Sequence, residues 1–390
     1  MKQKEVLWNK NFVIACIANF FTACSFNLLM PTIPLYLTEV LSIESSKMGI
    51  ILSSYAFALL LIRPFSGFLV DLYPRKMLYL LGITCFMAVF FGYYFAVTVG
   101  FFVILRFVHG LFWGLATVSS NTVAIDIIPP TRRAEGIGYF GVNMNLAMAI
   151  APFFAIEIYE EHGFSFLISV ALVLGALAIL VVCFIKVPKR ELIEKKQPIS
   201  FDRFLLVKAI PILFNQIFIT FGWGTLAAYA VLYGIESGLQ NAGLFFLFLA
   251  AGIIVSRIAS GRLVDKGHIH QVIIFAVAVV TISFVSFALI HTVYAYNISA
   301  FFIGVGYGTL LPALQTIYIE MAPASKRGTA NSTYLTGFDL GIGIGMLVGA
   351  SIAAAWGYEN MYLITAALCF IGLLFYLFSS RNIYEKYRLR

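Results

Sequence analysis

The chain has 390 residues, of which 61% are hydrophobic and 11% charged, with a formal net charge of +8 and five cysteines. Soluble domains carry about 25% charged residues, so this composition excludes an ordinary water-soluble domain and makes lipid the solvent for much of the chain. The basic residues are spread over many short loops rather than gathered in one patch, which fits membrane orientation and excludes a nucleic-acid surface.

In lipid every backbone N–H and C=O must be paired internally, which leaves helices or a closed barrel. A barrel reads as segments of about ten alternating residues. This chain has continuous apolar runs instead, such as 164–185, 272–290 and 361–380, near the roughly 20 residues a spanning helix requires. In chain order the predicted spans are 11–37, 48–70, 77–97, 99–125, 134–157, 164–185, 204–233, 240–262, 272–290, 294–320, 328–355 and 361–380. The expected fold is an all-α membrane protein of twelve transmembrane helices. The first run, 12–37, exceeds the apolar stretch of about 7–15 residues in a cleaved leader and is read as a span. Cys16, Cys24, Cys85, Cys183 and Cys369 lie in apolar runs without metal-type spacing and read as small packing residues.

With the N-terminus placed in the cytoplasm, 22 Lys and Arg residues fall in inner loops and termini, and Lys47 alone falls outside. That asymmetry predicts both termini on the cytoplasmic side. Arg63, Arg106 and Arg257 fall within or near spans. Residues 186–203 are charged and carry Pro188 and Pro198, so they read as a cytoplasmic linker between an N-terminal bundle at 1–185 and a C-terminal one at 204–390.

The two halves repeat. Residues 63–71 read RPFSGFLVD and residues 257–265 read RIASGRLVD, an offset of 194. The same offset pairs Gly110-x-x-x-Gly114 with Gly304-x-x-x-Gly308, Asp126 with Glu320, Pro129 with Pro323, and Arg132-Arg133 with Lys326-Arg327. Five matches at one offset indicate a duplicated six-helix unit. Parallel repeats about an axis along the membrane normal are a known transporter plan, so two pseudo-symmetric bundles are expected.

The segment from Gly67 through Asp71 to Arg75 and Lys76 resembles the loop signature of the major facilitator superfamily, G-x-L-x-D-r-x-G-r-[RK], with Pro74 where that family has glycine. Gly261 to Gly267 is its second copy, without the basic pair, and Arg106 to Gly114 resembles the fourth-helix signature. Within the family the chain is similar to proton-coupled drug and sugar efflux permeases, on Arg63-Pro-x-x-Gly67 and Phe338-Asp-Leu-Gly-Ile-Gly343. Ala147, Ala151, Pro152, Ala155 and Ile156 stand at the places of the fifth-helix antiporter signature G-x-x-x-G-P-x-x-G-G, keeping its proline and replacing its glycines. Export by antiport is therefore the expectation, with proton-coupled uptake of a nutrient as the alternative.

The resemblance implies that Asp71 holds an inner gate through a helix dipole and basic loop residues, with Gly67, Arg75 and Lys76 beside it and Asp265 at the repeated position. Asp126 and Glu320 end their spans before the basic pairs and either complete that network or face water. Arg106, inside the fourth span, carries a charge that costs about 2.5–3.5 kcal/mol in a membrane unless it faces the protein interior; the resemblance gives it a part in proton coupling. His109, one turn on, titrates near neutral pH when unperturbed or packs. Asp339 is a carboxylate in the middle of the eleventh span between glycines; burial favours its protonated form, so it is the first candidate for the proton site. The offset pairs it with Asn145. Asn27, Trp113, Tyr139, Asn145, Asn215, Gln216, Trp223 and Gln315 are cavity candidates, each equally able to make an interhelical hydrogen bond worth roughly 1 kcal/mol.

No phosphate loop G-x-x-x-x-G-K-[ST] occurs, which argues against ATP as the energy source. No H-E-x-x-H motif or metal-type Cys/His spacing is found either, so no cofactor or metal is expected. A non-enzymatic transporter of small molecules, driven by protons and working as a monomer in a bacterial inner membrane, is the reading. A membrane-embedded enzyme or sensor is the competing class.

Overall fold

The computed structural model describes residues 6–42, 45–96, 98–188, 200–239 and 243–389. Lys47 lies there without a described side chain, and most of the predicted linker, 189–199, lies outside the described residues. The described secondary structure is helical: α1 (Lys10–Glu39), α2 (Ser45–Leu72), α3 (Arg75–Tyr93), α4 (Val99–Ile127), α5 (Arg133–Cys183), α6 (Ile210–Glu236), α7 (Leu244–Asp265), α8 (Ile269–Leu289), α9 (Val293–Glu320), α10 (Arg327–Phe375) and α11 (Arg381–Tyr387). Ten described stretches are long and apolar enough to cross a membrane. The difference from twelve lies in α5 and α10, which at 51 and 49 residues each join two predicted spans. Each carries one glycine in the left-handed region, Gly163 at φ 80° and Gly357 at φ 81°, a conformation that glycine reaches without a Cβ penalty.

The repeat extends to the element boundaries. Gly163 and Gly357 are 194 residues apart, as are the starts of α3 and α8, α4 and α9, and α5 and α10. The N-caps of α4 and α9 match too: Thr98 Oγ1 accepts from Phe101 N and Thr292 Oγ1 from Ala295 N. These hydroxyls satisfy donors that a helix start leaves unpaired.

The described chain divides into two compact units. One holds residues 1–129, 140–205 and 324–332; the other holds 130–139, 206–323 and 333–390. The first turns of α5 therefore belong with the second unit, and those of α10 with the first. In the first unit the core gathers Phe26, Phe86, Phe90 and Trp113, with the Phe26 and Trp113 rings stacked at 4.1 Å. In the second, Phe284, Phe287, Tyr296 and Tyr362 pack with Tyr362 fully buried. Large apolar side chains also point outward, among them Phe57, Ile282, Leu347 and Phe378, as expected of surfaces that face lipid rather than water.

The paired glycines pack helices closely. A Cβ at Gly110 would lie 2.5 Å from the Tyr55 carbonyl oxygen, so α4 approaches α2 at the backbone, and Gly304 stands against the Leu249 carbonyl in the same way between α9 and α7. Small residues at this spacing permit such contact. Of the cysteines, Cys16, Cys24 and Cys369 are buried as packing residues, Cys85 is half-buried, and Cys183 is exposed at the end of α5 rather than packed.

Candidate functional site

In the first unit, α2 ends where Tyr73 and Pro74 follow it, because proline cannot continue a helix and restricts its predecessor. This leaves Asp71 in the last turn of α2. The short 3-10 turn Ala324–Lys326 delivers the chain into α10 at Arg327. The first N–H groups of a helix have no partner inside it and carry the positive end of its dipole. Asp71 takes two of them. Gly328 N donates to Oδ1 and Thr329 N to Oδ2, both at 2.7 Å, and the Thr329 hydroxyl adds a third bond to Oδ2 at 2.8 Å. Arg75 Nη2 lies 3.2 Å from Asp71 Oδ1 and donates to the Ala324 carbonyl at 2.9 Å, while its Nη1 pairs with Asp126. Arg327 closes the circuit on the other Asp126 oxygen at 3.0 Å. The Asp71 and Arg75 side chains are 1% exposed, so this is a buried network and not a solvated loop.

The second unit repeats the clamp. Asp265, at the end of α7, accepts from Ala134 N at 2.8 Å and from Glu135 N at 3.0 Å at the start of α5. All three positions match those of the first clamp by the 194-residue offset. The surrounding charges differ. Arg75 is matched by Ile269 and Thr329 by Glu135. Glu135 is paired with Arg132 at 2.7 Å and with Arg262 at 2.9 Å. Glu320, the match of Asp126, accepts the Tyr384 hydroxyl, and its backbone carbonyl takes Leu389 N at 2.8 Å. It is thus held by the C-terminal segment, because no arginine stands at Ile269 to reach it.

Two glycines make these approaches possible. A Cβ at Gly67 would sit 2.5 Å from Ser332 Cβ and 3.0 Å from the Gly328 carbonyl oxygen. A Cβ at Gly261 would sit 2.8 Å from Glu135 N and press on its Cα. Lys76 does not join the Asp71 network; its ammonium donates to the Cys183 carbonyl at 2.6 Å, at the end of α5.

Arg106 and His109 lie together inside the first unit, 2% and 0% exposed. The Arg106 guanidinium sits 4.6 Å over the Tyr55 ring, a cation–π contact that partly offsets desolvation. The Tyr93 hydroxyl lies 3.1 Å from His109 Nδ1. Phe86 and Phe90 flank the imidazole at 4.3 and 4.9 Å. Asn27 is buried but bonds back to the Ala23 carbonyl of its own helix at 2.8 Å, and Trp113 is stacked on Phe26. These two positions are occupied by packing.

In the second unit Asp339 is half-buried on α10, beside the close contact of Gly341 with Thr220 of α6. Asn215 and Gln216 are fully buried; their amides donate to Ser380 Oγ at 3.1 Å and to the Tyr334 carbonyl at 2.9 Å. Trp223 stands edge-on to Tyr307 at 5.2 Å, Gln315 is buried, and Tyr139 is half-buried. Asn145, in the first unit, is half-buried. Among the described residues no group of three or more His, Cys, Asp or Glu can hold a metal ion.

Gly328, Thr329, Ala134, Glu135 and Arg262 are site residues that sequence reasoning does not single out. A signal for four of them exists: they follow the repeated basic pairs directly, at 134–135 and 328–329. A clamp built on backbone N–H groups leaves no mark of residue type.

A family model described as Major Facilitator Superfamily matches residues 15–298 and 272–387. Among curated proteins, the chain is 25% identical over 401 residues to the multi-drug resistance efflux pump PmrA of Streptococcus pneumoniae serotype 4, covering 97% of this chain and 98% of that one. It is 27% identical over 381 residues to the multidrug resistance protein MdtG of a Rahnella strain, covering 92% and 90%. Among solved structures, the human organic anion transporter MFSD10 (TETRAN) superposes with a TM-score of 0.78 at 16% identity, covering 94% of this chain and 98% of that one. FucP in its outward conformation superposes with a TM-score of 0.75 at 14% identity, covering 96% and 99%.

Proposed function

Because the chain belongs to the Major Facilitator Superfamily and is a multi-pass membrane transporter rather than an enzyme, we propose that it exports small organic solutes by alternating access, in exchange for protons. The observation that carries this reading is the matched pair of clamps, Asp71 on the start of α10 and Asp265 on the start of α5. Each holds a helix start by charge-assisted bonds worth about 1.5–3 kcal/mol apiece. An ion pair that can form and break is a suitable switch element. In this account the two clamps release together when the transporter turns over, and Arg75, Asp126 and Glu135 set how firmly each is held.

The full-length likeness to efflux pumps at 25–27% identity supports export of drug-like solutes. The breaks at Gly163 and Gly357 support twelve spans in two six-helix bundles, with a linker at 186–203. Asp339 is the proposed proton site and Arg106 with His109 its tuning pair, and substrate contact falls to polar residues including Gln216, Gln315 and Trp223. The charge asymmetry of the loops supports cytoplasmic termini, here in a bacterial inner membrane, and one chain suffices as a monomer. Differential affinity of the two states for proton and solute must supply the bias, since equal affinity shifts nothing.

The test is proton flux. Purified protein in liposomes with a pH-sensitive dye is challenged with drugs, sugars and amino acids in turn. Solute-dependent proton movement in the exchange direction is expected; movement of solute and proton together would replace antiport with symport. A folded protein that moves no protons for any solute would end the proton-coupled reading.

A further inference from the structure

The repeat places one buried arginine at the same position in each half, Arg63 on α2 and Arg257 on α7, at 4% and 6% exposure. The two are treated differently. Arg63 Nη1 donates to Thr117 Oγ1 at 2.8 Å. The residue matched to Thr117 is Leu311, which has no hydroxyl to offer. Arg257 Nε and Nη1 are buried without a hydrogen-bond partner, and among the described residues no carboxylate pairs with this guanidinium. A guanidinium stays charged in proteins, and an unpaired charge inside a spanning segment is disfavoured and marks a ligand path.

The surroundings of Arg257 favour an anion. Gly138, near the start of α5, faces the guanidinium without a side chain: a Cβ there would lie 3.5 Å from Arg257 Nη1, in ordinary contact. Tyr334 of α10 is within electrostatic reach. Two further buried polar atoms near Tyr334 also lack partners. One is the hydroxyl of Tyr318, whose ring is 5.9 Å from that of Tyr334. The other is Gln216 Oε1, whose amide nitrogen bonds the Tyr334 carbonyl. All five residues belong to the second unit. Buried polar groups in native proteins are almost always satisfied, and those that are not call for a functional account.

We infer that Arg257, with Tyr318 and Gln216, forms a subsite that binds the oxyanion group of a transported organic solute: a carboxylate, sulfonate or phosphate. A planar, weakly hydrated guanidinium is the side chain suited to such groups. The Tyr318 hydroxyl adds a neutral donor beside the charged one, and Gln216 Oε1 accepts from a hydroxyl or amide next to the anion. The inference rests on the transporter reading and narrows its solute class to molecules bearing an acidic group.

The experiment compares 2-naphthoate with its neutral twin 2-naphthamide on purified full-length protein in neutral detergent, reading thermal stability and equilibrium binding. Naphthoate is expected to raise the melting temperature of the native protein and naphthamide to leave it in place. Arg257→Gln is expected to melt no lower than the native protein, having lost an unpaired charge, and to bind naphthoate at least about tenfold more weakly, the loss of a charge-assisted hydrogen bond. Arg257→Lys, which keeps the charge and loses the planar fork, is expected to fall between them. Equal responses to both naphthalenes, or naphthoate binding unchanged in both variants, would overturn the subsite. So would a marked destabilisation of Arg257→Gln, which would give the guanidinium a structural partner. An Arg257-dependent shift with phosphatidylglycerol but none with naphthoate would assign the site to a lipid headgroup and overturn it as a solute site. Proton flux driven by a neutral solute alongside failed naphthoate binding removes the subsite and leaves the exporter; Arg257-dependent binding without any proton flux does the reverse.

Discussion

Asp71 and Thr329 are joined twice: the threonine's backbone N–H and its hydroxyl both bond the same carboxylate oxygen, at 2.7 and 2.8 Å. The matched pair in the other half, Asp265 and Glu135, keeps the backbone bond at 3.0 Å, but glutamate has no hydroxyl to add and carries a like charge. One clamp is therefore reinforced by neighbouring donors and a buried arginine, and the other is buffered by Arg132 and Arg262 through Glu135.

Asp71→Asn should be the more damaging of the two clamp variants. A carboxylate offers an oxygen to each of two adjacent N–H groups, whereas an asparagine offers one oxygen and turns an NH2 toward the other donor. Breaking a buried charge pair costs up to about 3–5 kcal/mol, and Arg75 is left with Asp126 as its charged partner. Asp265→Asn should cost less, because Asp265 accepts the same pair of N–H groups without an arginine alongside it. Thermal melts of the two variants, with transport measured in parallel, check the order. An Asp265→Asn variant that melts lower than Asp71→Asn would refute it.

The two close-approach glycines should differ in how they can be rescued. In Gly67→Ala the new methyl meets the Ser332 side chain at 2.5 Å, so Ser332→Gly in the same chain should recover much of the loss. In Gly261→Ala it meets the backbone of Glu135, which no single side-chain replacement removes. Overpacking of this kind costs about 1–3 kcal/mol. Expression level and melting temperature of the singles and of the Gly67→Ala/Ser332→Gly double provide the comparison.

Removing one hydroxyl should expose the polar pair in the aromatic core of the first unit. Tyr93→Phe strips His109 Nδ1 of the hydroxyl at 3.1 Å and leaves a buried polar atom alone, at a cost of about 1–3 kcal/mol. Replacing both, with His109→Phe in the same chain, should cost less than the sum of the two single changes. A double-mutant cycle on unfolding free energy measures this coupling, and strict additivity would count against a bonded pair.

Thr98→Ala and Thr292→Ala test whether the repeat is energetic as well as geometric. Each removes a side-chain oxygen that accepts from the third residue of its helix, a loss worth about 0.5–2 kcal/mol. The two should be nearly equal, and their effects should add. Melting curves of both singles and the double decide it.

If Asp339 is the proton site proposed above, Asp339→Asn should abolish pH-driven export while leaving solute binding within a few-fold of native, because the amide keeps the size of the side chain and has no carboxyl to protonate. Full proton-coupled transport in this variant would place the proton site elsewhere.

Much of this protein is legible in its amino-acid sequence. Composition alone requires lipid as solvent, since 61% hydrophobic residues cannot be hidden from water by a chain of this size. The 194-residue offset announces the duplication, because helix ends and packing glycines are set by local residue type: Pro129 and Pro323, Gly110 and Gly304. It also singles out Asp71 and Asp265, since a carboxylate repeated beside a span end is visible as a letter. What the tertiary structure decides is where those carboxylates point. They bond backbone N–H groups at 134–135 and 328–329, and every residue but proline has such a group, so no letter in the sequence marks the partner. The turn of Lys76 to the Cys183 carbonyl, Asn27's bond within its own helix, and the satisfied Arg63 against the unsatisfied Arg257 are hidden for the same reason. Residue type sets which bonds a side chain is able to make, and only the packing of distant helices determines which of them it makes.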